Sequence, residues 1–326
     1  MARMDVAIPN YNYGRFLRHC IASIQNQGVE ELRILIIDNA SSDDSVAIAK
    51  EIAAADPRVE LLLRPENLGA HASFNAAIDW AQSDYFSIIC SDDYLPAGAL
   101  SAAIGALDRH PDANLVFGNV LFVADGENPV QPEAMSGAAT HISGADFLDS
   151  FCRTGRSPIN GPMAVARTAA QKQLGYYRPE LPHTDDMEMW MRFGAMGAVV
   201  RLDMIQSIVR IHGANQSSVL RNVHHWNMEA EAAFEVFFST YGASLPNARR
   251  LLRTARKSLS DRAYWCAVSH LLRRDPGVGD LIAHAVRLHP TSAILPPLGY
   301  LWRRQDFLSR LRSILSRTRP DATQSA

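Results

Sequence analysis

No stretch of this chain approaches the ~20 consecutive apolar residues that cross a bilayer. The opening MARMDVAIPNYN also lacks the apolar core of a secretion leader, so the expectation is a cytoplasmic protein, soluble or peripheral on the membrane face. Cysteine is scarce: Cys20, Cys90, Cys152 and Cys266 are far apart and form no CxxC pair, which argues against a zinc site or a disulfide framework. No G-x-G-x-x-G follows the first apolar run, which disfavours a dinucleotide-binding dehydrogenase. Nor does that position carry the basic, glycine-rich phosphate loop expected of a nucleotidyltransferase.

Positive charge is thin at the front of the chain. Residues 249–326 hold fifteen Lys/Arg against five Asp/Glu, leaving seventeen against twenty-nine in residues 1–248. The acidic front lacks the clustered cations that phosphate neutralisation needs, so no nucleic-acid partner is expected. The apolar share is ample, 47% hydrophobic against 20% charged, enough for one large or two smaller packed domains.

Apolar runs and turn residues alternate regularly over the first 110 residues. Strands are expected at Met4–Ile8, Leu32–Ile37, Val59–Leu63 and Tyr85–Cys90, each followed by a polar turn and a helix. The helices are expected at about 15–25, 44–54, 70–82 and 96–109, with Ser42 or Asp43 as a cap for the second. Four βα units in a row imply an α/β fold with a parallel sheet and right-handed crossovers. Ligands of such sheets bind beyond the carboxyl ends of the strands. Here those ends carry Pro9-Asn10-Tyr11-Asn12, Asp38-Asn39, Glu66-Asn67 and Asp92-Asp93, which should therefore meet in one crevice.

Asp92 and Asp93 follow a buried strand, where uncompensated charge costs several kcal/mol unless solvent, cations or a metal compensates it. Alone the pair also suits an ordinary turn before a helix, with Pro96 in the first helical turn. Further on, Leu115–Val123 and Val199–Ile211 read as strands, 124–143 as loop, Gly144–Cys152 and Arg167–Leu174 as helices, and Met163–Ala166 as a short strand. Thr184 is a plausible N-cap for a helix whose first turn holds Asp185, Asp186 and Glu188.

The segments PNYN, DNASSD, ENLG, SDD, DDMEMW and RIH occur in that order, each at a strand end or helix start. In content and order they resemble the inverting glycosyltransferases of family 2, over about residues 4–218. The resemblance implies the Rossmann-like, nucleotide-sugar-binding GT-A fold, in a domain of residues 1–218 followed by a helical, basic region of 219–326. By it, Pro9, Asn10, Tyr11 and Asn12 would pass against the nucleotide, with Tyr11 near the base, and Asn67 and Gly69 would lie beneath it. Asp38 would accept a base N–H such as the imide of uracil or thymine, which favours a UDP- or dTDP-sugar. Asp92 and Asp93 would divide between ribose and metal, Asp93 being favoured for the metal, with His212 completing the shell of a Mg²⁺ or Mn²⁺ ion. Asp186 would be the general base that takes the acceptor hydroxyl's proton. Asp185 and Trp190 are candidates for the acceptor side.

Two positions depart from the family pattern: Phe74 stands where an Arg is common, and Cys90 where the first acid of Asp-x-Asp-Asp is common. His71, one turn before Phe74, reads as a solvated surface histidine. The acceptor class implied is a glycan, a lipid-linked saccharide or another glycoconjugate. A non-catalytic nucleotide-sugar-binding module is the alternative to an enzyme, as is a nucleotidyltransferase. From Asn215 the chain reads as mainly helical, with helices at about 222–240, 246–272 and 277–289. It ends in Arg303, Arg304, Arg310, Arg312, Arg317 and Arg319 among apolar residues, a composition suited to an anionic membrane surface.

Overall fold

The computed structural model describes residues 3–125, 137–159, 164–213 and 223–302. The four expected βα units are present: β1 (Arg3–Asn10), α1 (Gly14–Gln25), β2 (Glu31–Asp38), α2 (Ser45–Ala55), β3 (Val59–Leu63), α3 (Ala70–Trp80), β4 (Tyr85–Ile88) and α4 (Ala99–Arg109). They are followed by β5 (Ala113–Ala124), β6 (Ala139–Ile142), α5 (Gly144–Thr154), β7 (Val165–Arg167), α6 (Thr168–Leu174), α7 (Asp185–Met196) and β8 (Ala198–Ile211). The remaining helices are α8 (Val223–Ser239), α9 (Ala248–Arg273), α10 (Val278–Leu288) and the short α11 (Leu298–Trp302).

One sheet runs β3-β2-β1-β4-β7-β5-β8-β6. β1 to β4 pair in parallel, β7 is antiparallel to both neighbours, β5 and β8 are parallel, and β6 is antiparallel to β8. Every strand except β6 and β7 therefore points the same way. The carboxyl ends of β1, β2, β3, β4 and β8 open on one edge of the sheet.

The strand sequences are apolar on both faces because both faces are covered. Met4, Val6, Ile8, Leu32, Ile34 and Ile36 pack against Leu17, Ile21 and Ile24 of α1 and Leu100, Ala103 and Leu107 of α4. The alternate positions Ala7, Leu35 and Ile37 face a second core built from α3, α5, α7, α8 and α9. In α1 the buried Phe16, Leu17, Cys20, Ile21 and Ile24 recur at helical spacing, which is what makes Gly14–Gln25 a helix rather than a strand.

Four local expectations are corrected. β4 ends at Ile88, although Ile89 N–H still donates to Ala7 O at 3.0 Å. α4 starts at Ala99 instead of Pro96, because Gly98 takes a left-handed conformation (φ +77°) at the N-cap. Part of the expected loop 124–143 is the strand β6. Of the expected caps, Asp43 Oδ1 accepts from Ser45 N–H at 3.0 Å at the start of α2, whereas Thr184 does not cap α7: its Oγ1 donates to Glu229 O at 3.0 Å.

The domain boundary expected near residue 218 lies outside the described residues, as does the arginine-rich segment from Arg303 onward. On the far side of that boundary, Ala230, Phe234 and Phe237 of α8 and Leu251, Ala255 and Leu259 of α9 enter the same core as Phe147, Phe151 and Phe193. Among the described residues no helix is long and apolar enough to cross a membrane.

Candidate active site

β1 and β2 exit the sheet side by side, with Asn10 paired in register to Asp38. Asn10 Nδ2 donates to Asp38 Oδ2 (2.9 Å), and Ser41 N–H donates to Asp38 Oδ1 (2.9 Å), so the buried carboxylate is held from two sides. The loops cross-link again where Ser42 N–H donates to Asn12 Oδ1 at 2.7 Å and Asn12 N–H to Ser41 Oγ at 2.9 Å. Asn12 and Ala40 both have positive φ, +57° and +63°, a conformation that costs about 1 kcal/mol or more for a residue with a Cβ. Two such residues on adjacent strand exits mark a tightly specified surface. Beside it Tyr11 projects its ring into solvent, 46% exposed, and Pro9 is partly buried.

Asn39, next to Asp38, ties in the loop after β3. Its Nδ2 donates to Asn67 Oδ1 (2.5 Å) and Gly69 O (3.3 Å), while its Oδ1 accepts from Leu68 N–H (3.1 Å) and Arg64 Nη1 (3.2 Å). Gly69, at φ +84°, then opens α3. Pro9–Asn12, Asp38, Asn67 and Gly69 are thus brought together as one rim.

The acidic turn after β4 is clamped to the end of β8. Tyr94 and Ile208 exchange backbone hydrogen bonds (3.1 and 2.9 Å), which draws the turn against β8. Arg210 N–H donates to Asp93 Oδ1 at 3.1 Å, and Arg210 Nη1 to Asp92 O at 2.6 Å. The Arg210 guanidinium lies over the Phe16 and Tyr94 rings and contacts His19 Nδ1. His212 Nε2 is 3.1 Å from Asp92 Oδ2, and its ring stacks on Phe16 and meets Tyr13 edge-on. Asp92, Asp93 and His212 are all buried and converge. Burial, and then the neighbouring Asp92 carboxylate, push Asp93 well above the usual carboxylate range. Tyr13 is pushed up to about 12 by burial and then by Asp92.

A group of metal-ligating type stands at this point. Sγ of Cys90 and one carboxylate oxygen each from Asp92 and Asp93 lie within 4.8 Å of one another. Sulfur, oxygen and the adjacent His212 nitrogen form a donor set that fits a divalent cation.

The second acidic pair opens α7. Asp186 is partly exposed and accepts from Met187 N–H at 2.6 Å. Burial, and then the Asp185 carboxylate, raise it from 3.8 to about 7. Asp185 faces His71 Nε2 at 3.3 Å, and this contact is the main cause that raises His71 above its ordinary value. His71 is therefore no solvated surface residue: it bridges the start of α3 to the start of α7.

The two acidic pairs share one neighbourhood. Asp92, Asp93 and Asp185 all stand close enough to Cys90 to push its thiol up, after burial as the first cause. Burial, and then Asp185 and Asp186, push the Tyr177 phenol up, with Cys90 also contributing. Trp190 is not part of this cluster. It is 4% exposed and packs within the core beside Phe193. Arg192 is bound to the buried Glu188 at 2.8 Å and donates to the carbonyls of Leu174 and Tyr176.

Arg64, Tyr13 and the contact made by His71 were not legible from the sequence, whereas Asn39 stood in a strand-end cluster, Arg210 in the RIH segment and Cys90 at the position of the family's first acid. Asn39 and Arg64 had a usable signal, each being next to or at a strand end that carried a candidate. His71 and Arg210 act through contacts between segments more than a hundred residues apart, for which local pattern holds no sign.

A mixed sheet of this order, with acidic strand-end turns on one edge, is the GT-A architecture. The chain spans it at low identity: a mannosyltransferase of Pyrobaculum calidifontis in complex with GDP-Man and Mn²⁺ superposes with TM-score 0.58 at 16% identity, covering 98% of this chain and 81% of that one. S. aureus TarS in complex with UDP gives TM-score 0.54 at 18% identity, covering 89% of each chain. By sequence the chain belongs to glycosyl transferase family 2, whose family model matches residues 5–170. It is similar to the GalNAc(5)-diNAcBac-PP-undecaprenol beta-1,3-glucosyltransferase of Campylobacter jejuni, 30% identical over 127 residues, 39% of this chain and 40% of that one. A hyaluronan synthase of Pasteurella multocida is 30% identical over 101 residues, 31% of this chain and 10% of that one. The matched segments thus span 40% or less of these relatives' length.

Proposed function

We propose that this protein is an inverting glycosyltransferase that moves a sugar from a nucleotide-diphosphate donor to a hydroxyl of a glycan or lipid-linked acceptor. The observation that carries the reading is Asp186. A carboxylate at the mouth of the site, raised to about 7 by burial and by Asp185, is matched to taking a proton near neutral pH. Inversion needs the acceptor oxygen to attack opposite the departing diphosphate, and Asp186 accepts the hydroxyl proton as the new bond forms. Asp185, held by His71, shapes the acceptor side and keeps negative charge beside the base.

On the donor side, Tyr11 offers an exposed ring for the base, and stacking of this kind contributes about 1–3 kcal/mol per base. Asp38 keeps lone pairs beyond the two hydrogen bonds that orient it, which suits a base N–H donor and favours a UDP- or dTDP-sugar. Asn67 and Gly69 line the floor, and Asp92 addresses the ribose. Asp93, Asp92 and His212 would hold a Mg²⁺ or Mn²⁺ ion, which when bound supplies neutralising charge for the leaving diphosphate. Arg210 fixes the Asp93 carboxylate and the Asp92 backbone carbonyl.

Attachment to an anionic membrane face, from the cytoplasmic side, belongs to the same proposal. Ile294, Leu295 and Leu298 are strongly exposed at the end of the described chain, next to the arginine-rich sequence. A lipid-linked acceptor would be presented at such a surface.

The test is release of nucleoside diphosphate from a panel of UDP-, dTDP- and GDP-sugars, with and without Mn²⁺. Release that depends on Asp186 and on the divalent ion supports transfer. Tight binding of a nucleotide sugar with no release under any condition identifies a binding module instead.

A further inference from the structure

We propose that Cys90 is a protein ligand to the divalent cation through its sulfur, and that it sets the site's preference toward thiophilic ions over Mg²⁺. The inference rests on reading the Asp92–Asp93 turn as the cation site. It starts from the placement of three donor atoms. Cys90 Sγ and one oxygen each of Asp92 and Asp93 all lie within 4.8 Å of one another. Ligands to one ion, at bonds of about 2.0 to 2.6 Å, are at most ~5 Å apart. The sulfur is therefore close enough to both carboxylates to share one cation with them.

The backbone fixes it there. Asp93 N–H donates to Cys90 O at 3.0 Å, closing a tight turn that turns residues 90 and 93 toward each other. From the opposite side the buried Cys20 thiol donates to the same carbonyl at 3.7 Å. Cys20 thus faces the backbone of the turn and leaves the Cys90 sulfur to the carboxylates.

Sulfur changes which cation is preferred. Mg²⁺ takes oxygen ligands and holds its waters, whereas thiolate favours Co²⁺, Zn²⁺ and Cd²⁺, with Mn²⁺ between. On binding a thiophilic ion the Cys90 S–H bond breaks, the proton leaves to solvent, and a metal–sulfur bond forms. Mg²⁺ leaves the thiol protonated and outside its shell.

The experiment is a titration of the metal-stripped full chain with Co²⁺ in the presence of UDP or GDP, followed by absorption and by thermal unfolding. The expected result is a thiolate-to-cobalt charge-transfer band in the native protein and in Cys20→Ser, and its loss in Cys90→Ser. Cys90→Asp is expected to lower the Co²⁺-over-Mg²⁺ affinity ratio at least tenfold. Co²⁺ that raises the melting temperature and shows ligand-field bands but no charge-transfer band overturns Cys90 as a ligand and leaves the donor-site reading standing. A charge-transfer band that survives in Cys90→Ser also overturns it. Absence of binding by Co²⁺, Mn²⁺ and Mg²⁺ alike overturns both.

Discussion

Replacing Asp186 with Asn should stabilise the fold while it removes turnover. The unfolded chain ionises this carboxyl from about pH 4 upward, whereas the folded chain holds its proton until about 7, because burial and then Asp185 disfavour the charge. Stability is therefore undiminished below pH 4, falls between 4 and 7, and stays at its reduced level above. At 1.36 kcal/mol per pH unit the ceiling on this loss is about 4 kcal/mol. The side chain is partly exposed, so solvent screening brings the expected gain from Asp186→Asn to about 2 kcal/mol at pH 8. Asn keeps an oxygen for the Met187 N–H, so no new unsatisfied donor is created. Urea unfolding of both proteins at pH 5 and pH 8 reads the effect. The gain should be about twice as large or more at pH 8, roughly 2 against 1 kcal/mol. An equal gain at both pH values, or a loss at pH 8, would show that ionised Asp186 is not disfavoured, and the case for a poised base would fall with it.

Other consequences are as specific. With a donor identified, kcat/KM should rise through an acidic limb near pH 7. Asp185→Asn should move that limb to lower pH without returning it to the ordinary carboxylate range, because burial is the larger cause. A limb that stays put separates Asp186 from the titration. Asn39→Ala removes a side chain that joins the loops after β2 and β3 through four contacts. It should cost about 1–3 kcal/mol in urea unfolding and weaken nucleotide-induced thermal stabilisation. Gly144→Ala should destabilise by about 1–3 kcal/mol and lower kcat, since a Cβ there would sit 2.1 Å from Gly194 O and displace α5 from α7. Gly279→Ala, with nothing within 4 Å, should be neutral or slightly stabilising.

The parallel half of the sheet was legible because each strand is a short apolar run closed by turn residues. The edge on which Asn10, Asp38, Asn67 and Asp93 meet follows from that topology alone. The C-terminal half was less so. β6 is four residues long, too short for any periodicity, and it forms where a loop was expected because β8 offers an unpaired edge, whereas the three-residue β7 overlaps the short strand expected at Met163–Ala166. The site's candidates were found where polar residues end strands, and the acceptor-side candidate Trp190 is buried. It follows the acids of α7 closely, but helical rotation turns it into the core. His71 and Arg210 owe their roles to partners that only the fold brings near.

The most direct test of the account is a comparison of Asp186→Asn with the native enzyme on the donor that the panel identifies. The account predicts a 10²–10⁴-fold fall in kcat with donor affinity unchanged within about threefold, since a general base contributes that much and does not touch the nucleotide. Turnover within tenfold of native would contradict it.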